Sequence, residues 1–214
     1  MSLTLLYTIL GFGLAAYSVI ANDSVQTLGT FIASNERFKW YWLATASSVV
    51  LTFTLLYGWS VNDGDITFGR LNKIPYQTIQ WYHAAAPLIL VILTRGGIPV
   101  STTFLVLSAF ASTVVLEKVL MKSVIGYGLA ATVAYIVWIC VSYFINEKFD
   151  KVPESHRKAW VIGQWLTTGF LWYTWLSHDV ANIAVFLPRQ LSVELLIICI
   201  ITLSILLFYI FWDK

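Results

Sequence analysis

Three hydroxyl side chains, Ser101, Thr102 and Thr103, follow Pro99 and Val100 in the stretch GIPVSTTFLVLSAF, residues 97–110, whose remainder is almost wholly apolar. If an apolar helix starts here, its first turn carries backbone N–H groups without intrahelical partners and the positive end of the helix dipole. Hydroxyl donors added to such a tip form a receptor for an oxyanion. Because no cationic side chain is involved, the ligand can also leave. A Ser/Thr cluster that merely caps a helix at a membrane interface has the same composition, and the residues admit both readings.

Two acid–amide pairs could do complementary chemistry. Asp23 and Gln26 lie in ANDSVQTLGT (21–30), and Asp179 and Asn182 lie in SHDVANIAVF (177–186). Within each pair the spacing puts both side chains on one helix face, so that they can reach a single cavity. Carboxylate and carbonyl oxygens are the ligands that hard cations such as sodium take, and a carboxylate can instead carry a proton. An ionisable group at membrane depth costs about 2.5–3.5 kcal/mol on insertion scales, so its presence needs a reason. The alternative is an Asp that caps a helix start just outside the membrane.

The elements that must position these groups are membrane helices. The chain of 214 residues is 58% hydrophobic and 11% charged, against about a quarter charged in soluble domains. Its length allows roughly five to seven spans of about 20 residues and no soluble domain. The expected fold is therefore an all-α, polytopic transmembrane helical bundle, an integral multi-pass protein of a plasma or inner membrane. The lipid bilayer is its surroundings, and nucleic acid is not a partner. A first helix over 3–21 reads as retained rather than as a signal peptide, and it is expected to break at Asn22-Asp23. Spans follow at 40–61 and 76–94, the second closing on Arg95-Gly96-Gly97. The apolar piece from Pro99 to about Leu116 suits either a span or a re-entrant hairpin that dips in and turns back, with Glu117, Lys118 and Lys122 marking the return to an interface.

A span over 123–145 leads into NEKFDKVPESHRKAW, where Lys148, Lys151, Arg157 and Lys158 indicate a cytoplasmic loop. A Trp-rich helix over 160–176 is then expected to be interrupted by SHDVANIAVFLPRQLS before a last span at 193–212. The organisation is thus a first repeat-like half (1–145), a charged loop (146–159) and a shorter second half (160–214). One and the same offset relates Asp23 to Asp179 and Gln26 to Asn182. A related pair of broken hydrophobic segments is the sequence pointer to an inverted-repeat secondary transporter with a site near the bilayer midplane.

Other conspicuous residues have structural readings. Cys140 and Cys199, without CxxC or His-rich surroundings, read as packing residues. His83 is expected to hydrogen-bond locally with Gln80 one turn earlier, Arg95 to snorkel to the headgroups, Glu194 to supply an N-terminal charge to the last helix, and the ten Trp to anchor span ends. No nucleophile–base pair or metal-ligand spacing suggests an enzyme. A retinal-binding bundle is excluded because the last span has no lysine.

Taken together, AND…LGT, GIPVSTT and SHDVAN resemble the repeated signatures of the inorganic phosphate transporter (PiT) family, whose halves carry a Gly-Ala-Asn-Asp-x-x-Asn-type and a Pro-Val-Ser-Thr-Thr-His-type motif. The resemblance covers roughly residues 10–190 and is specific at these three clusters. It implies a carrier of inorganic phosphate coupled to sodium or a proton, with no resident cofactor and no metal beyond transported sodium. It further implies that Ser101, Thr102, Thr103, Asn22 and Asn182 bind phosphate and that Asp23, Asp179 and Gln26 bind the cation. The chain departs from the pattern at Gln26, which replaces an Asn, at Phe104, which replaces a His, and at His178, a titratable group in place of an Asn that could confer pH sensitivity. The repeat offset applied to Thr102 reaches beyond Lys214. The expectation is that a homodimer or a second chain completes the site, or that the second hydroxyl hairpin is lost. Two rival functions are a sulfate-type oxyanion transporter and a non-transporting membrane subunit or regulator on a PiT-like scaffold.

Overall fold

A computed structural model describes residues 2–98, 100–145 and 154–213, and it is all-α. The helices are α1 (Leu3–Ser34), α2 (Trp40–Val61), α3 (Trp81–Arg95), α4 (Thr102–Leu107), α5 (Thr113–Ile145), α6 (Glu154–Ala184) and α7 (Val193–Trp212). Four of them, α1, α2, α5 and α7, are long and apolar enough to cross a membrane, which makes this a membrane protein. The sequence suggests five to seven spans; among the described residues, four helices meet these criteria. α3 has 15 residues, a length of about 22 Å, short of the ~30 Å hydrocarbon core. α6 has 31 residues but carries Gln164, His178, Asp179 and Asn182 along its length.

α1 is the central element and packs against α3, α6 and α7, while α2 packs against α6 and α7. Its buried positions include Gly11, Ala15, Ala16, Ser18 and Ala21; small residues let helix backbones approach closely where the solvent gives no hydrophobic drive. One apolar cluster, running from Ala15 in α1 to Phe211 in α7, draws on both sequence halves. Cys199 is part of it, whereas Cys140 is exposed on α5 rather than packed. None of the most apolar stretch of α5 is buried.

The expected helix breaks lie elsewhere. α1 continues through Asn22-Asp23, and α6 continues through His178-Asp179 to Ala184. In both places the polar side chains find partners sideways, on the segment after α3, and so do not compete with the helical backbone ladder. Asn22, for example, donates to the carbonyl of Val100 at 3.1 Å. The discontinuity falls instead between α3 and α4. Gly97 there has φ +72°, a left-handed conformation that glycine adopts without penalty. α4 is only six residues long, continues into a single 3-10 turn at Ser108–Phe110, and is followed directly by α5. This piece does not make a span of its own: α4 and the 3-10 turn pack back along α3, with Phe110 against His83, so that they form a short helical hairpin with α3. Pro99 and the basic residues Lys148 and Lys151 lie outside the described residues; Arg157 and Lys158 lie near the start of α6.

The hairpin is held from the other side by aromatic packing. His83 on α3 stacks on Phe110, with centroids 4.3 Å apart, and Phe110 meets Phe186 edge-on at 5.2 Å. His83 also caps its own helix, its Nδ1 accepting from the Gln80 N–H at 2.9 Å, as its spacing from Gln80 suggests. Several tryptophans are tethers inside the bundle rather than interface anchors. Trp172 donates to Ser47 O (3.2 Å), Trp165 to Asn35 Oδ1 (3.1 Å) and Trp59 to Leu191 O (2.8 Å). Glu194 does lie in the first turn of α7, behind the Ser192 cap.

Candidate functional site

Asp23 comes from the middle of α1, Asp179 from the last two turns of α6, and Ser101, Thr102 and Thr103 from the start of α4. These five residues and Gln26 line one cavity of about 440 Å³, together with Val100, Tyr127 of α5 and Trp175 of α6. A water occupies about 30 Å³ of liquid volume. The space has room for a small oxyanion with a cation and several waters.

The acidic pair is sheltered. Asp23 is 2% exposed, and its carboxyl group lies close enough to that of Asp179 for the two to interact directly. Two adjacent carboxylates in a poorly hydrated pocket repel strongly when both are charged; a shared proton or a bound cation removes that repulsion. The pair is thus the element of the site that calls for a positive ligand. The capping alternative for each Asp does not apply, since neither stands at a helix start.

The hydroxyls play three distinct parts. Ser101 is the N-cap of α4, its Oγ accepting from the Phe104 N–H at 3.3 Å, so the capping reading holds for this residue; its O–H remains a donor. Thr103 donates its hydroxyl to Asp179 Oδ1 at 3.1 Å. Thr102 is buried and accepts from Asn182 Nδ2 at 3.1 Å. With only six residues in α4, the dipole at its tip is weaker than that of the long helix the sequence suggests. Side-chain donors carry correspondingly more of any anion recognition.

Asn22 and Asn182 stand behind the cavity wall, not at its surface. Asn22 Nδ2 donates to Asp23 Oδ1 (3.0 Å) and to Val100 O, joining α1 to the hairpin backbone. Asn182 Nδ2 lies within 3.1–3.2 Å of Thr102 Oγ1, Thr103 Oγ1 and Asp179 Oδ1, joining α6 to α4. Its Oδ1 is buried without a protein partner, the kind of acceptor that a water or a cation satisfies.

His178 is not among the lining residues. Its Nδ1 is in close contact with the guanidinium of Arg70, in the short 3-10 turn at Arg70–Lys73. Arg70 can only donate, so Nδ1 must be the acceptor, which the neutral imidazole provides and the imidazolium does not. Arg70 is also near enough to Asp179 for their charges to interact.

Sequence reasoning missed three participants. Arg70 sits in a polar loop that carries no motif. Tyr127 and Trp175 look like any other aromatic residue of a membrane helix. The Trp175 indole N–H is buried beside Asp23 without completing a well-formed hydrogen bond. Arg95, expected at the headgroups, is exposed with its guanidinium 5.7 Å over the Tyr17 ring. In comparisons with protein-family models, curated proteins and solved structures, no match to the chain was found.

Proposed function

We propose that the protein is a secondary active transporter that carries inorganic phosphate together with sodium or a proton. The observation that supports this most directly is the meeting of Asp23, Asp179 and the Ser101–Thr103 hydroxyls at one cavity inside a membrane helix bundle. The physical basis of coupling is mutual charge compensation. A cation at the acidic pair offsets the anion's charge, so joint occupancy is cheaper than either ion alone. The cavity offers acceptors as well as donors, which favours hydrogen phosphate over sulfate, because only the former has a proton to give a carboxylate. The PiT resemblance points the same way and would make α1 and α6 counterparts, each supplying one Asp. In this reading a homodimer or a second chain supplies the remaining half of the site, in a plasma or inner membrane.

The test is uptake of labelled phosphate by proteoliposomes under an imposed sodium gradient and, separately, a proton gradient. Uptake under one of them, competed by unlabelled phosphate better than by sulfate and lost in Asp23→Asn, is expected. Absence of uptake under both from well-folded protein overturns the reading. One observation favours a non-transporting membrane subunit as second reading: Thr102 and Thr103 are already engaged with Asn182 and Asp179. That reading requires a stable copurifying partner and no phosphate binding.

A further inference from the structure

A second cleft, of about 340 Å³, opens between α1, α3 and α7. It is independent of the acidic cavity and shares no lining residue with it. Its charged groups are Arg95, the last residue of α3, and Asp213, the C-cap of α7. Both are exposed. The groups that act electrostatically on Arg95 are Tyr17 and Tyr209. The two tyrosine rings are 6.4 Å apart, with the guanidinium over that of Tyr17. The cleft thus holds a positive group with two phenol hydroxyls beside it and, separately, a negative group at a helix C-terminus. There the dipole adds further negative potential.

An aromatic belt marks the α7 end of the cleft as its outer end, while Ala21 and Val25, which flank Asp23 on α1, mark its inner end. The α2 start carries Trp40, Tyr41 and Trp42, and Trp40 packs edge-on against Phe208 near the end of α7. Trp212 is 64% exposed at that same end. Exposed Trp and Tyr in such a girdle sit at the headgroup level of a bilayer. Val25 and Ile210 complete the lining with apolar surface. A ligand matching this pattern has an anion, a separate cation and an apolar continuation that reaches inward from the aromatic belt.

We propose that the cleft is a site for a phospholipid with a phosphate diester and a primary ammonium, that is, a phosphoethanolamine headgroup. Arg95 and the tyrosine hydroxyls donate to the phosphate oxygens. The carboxylate of Asp213 and the α7 C-terminus take the ammonium. The glycerol end lies against Val25 and Ile210. A choline headgroup has no N–H for Asp213, and a glycerol headgroup has no cation at all.

The test uses the full chain in non-ionic detergent and follows its thermal unfolding on titration with dihexanoyl phosphatidylethanolamine, phosphatidylcholine, phosphatidylglycerol or inorganic phosphate. A saturable rise in Tm is expected with the ethanolamine lipid, at a midpoint concentration about tenfold below those of the other two lipids. Inorganic phosphate produces no such rise. Arg95→Gln abolishes the response, Arg95→Lys keeps part of it, and Asp213→Asn brings the ethanolamine midpoint to that of choline. Equal midpoints for the three lipids, an equal response to inorganic phosphate, or an unchanged ethanolamine preference in Asp213→Asn overturns the proposal. Asp213 is exposed, so this last variant reads out selectivity even where Arg95→Gln fails to fold.

Discussion

Thr103 of α4 donates a hydrogen bond from its hydroxyl to Asp179 of α6 across 3.1 Å, which ties the hairpin to the acidic pair. Replacing Thr103 by Val keeps the shape and removes the donor. The carboxylate then loses one hydrogen bond, an effect of about 1.5–3 kcal/mol for a charged acceptor. Phosphate uptake by Thr103→Val is expected to fall by tenfold or more, while Thr103→Ser retains most of it. Equal uptake by the Val variant and the wild type would detach the hydroxyl from the transport site.

The Asn182 NH₂ group, with two hydrogens to give, lies within reach of three oxygens, Thr102 Oγ1, Thr103 Oγ1 and Asp179 Oδ1. Asn182→Leu, close in volume, leaves Thr102 and Asp179 short of a donor in a buried place. The expected loss of stability is about 1–3 kcal/mol, seen as a lowered thermal midpoint in detergent. Asn22→Leu is expected to act similarly by freeing the Val100 carbonyl. Because Asn182 stands behind the wall and Asp23 at its surface, Asn182→Leu should lower stability and uptake together. Asp23→Asn should abolish cation-coupled uptake with little change in the midpoint.

The convergence of Asp23, Asp179 and Ser101–Thr103 was readable from the sequence because an apolar chain has few places to shelter polar groups, and sheltering them together costs least. The path of the helices through them was not readable. Whether Asn22-Asp23 ends a helix depends on a lateral partner, here Val100 O, which lies 78 residues away in the chain. The hairpin was legible as one of two options from Gly-Gly-Ile-Pro. The length of α4 was not, since nothing in Phe104–Phe110 marks an end. Arg70 was invisible for another reason. Its importance lies in the neighbour it meets, His178, and a loop arginine has no periodicity to betray that contact.

The Arg70–His178 contact needs an unprotonated Nδ1. Protonation of the imidazole, with an ordinary pKa near 6.5, breaks it and places two like charges together beside Asp179. Burial and the neighbouring guanidinium push this value down, so transport that depends on the neutral arrangement is expected to persist through neutral pH and to decline only as pH falls below about 6.5. In His178→Gln the same decline should be reduced, because the amide oxygen accepts from Arg70 at every pH. Identical pH profiles for the two proteins would remove His178 from any role in pH sensitivity.

Gly11 of α1 is where the aromatic stack behind the hairpin meets the central helix. A Cβ built there would lie 2.2 Å from the ring of Phe186, far inside van der Waals contact. Phe186 in turn packs on Phe110, and Phe110 on His83, so the ring cannot shift without disturbing the hairpin that carries Thr102 and Thr103. Gly11→Ala is expected to destabilise the protein by about 1–3 kcal/mol, the usual cost of overpacking. Gly13, two residues on, has nothing within 4 Å of the corresponding position; Gly13→Ala should be neutral or slightly stabilising through helix propensity. Thermal unfolding of the two variants side by side checks the packing of α1 against the hairpin. A midpoint for Gly11→Ala equal to that of Gly13→Ala would mean that Phe186 does not press on α1.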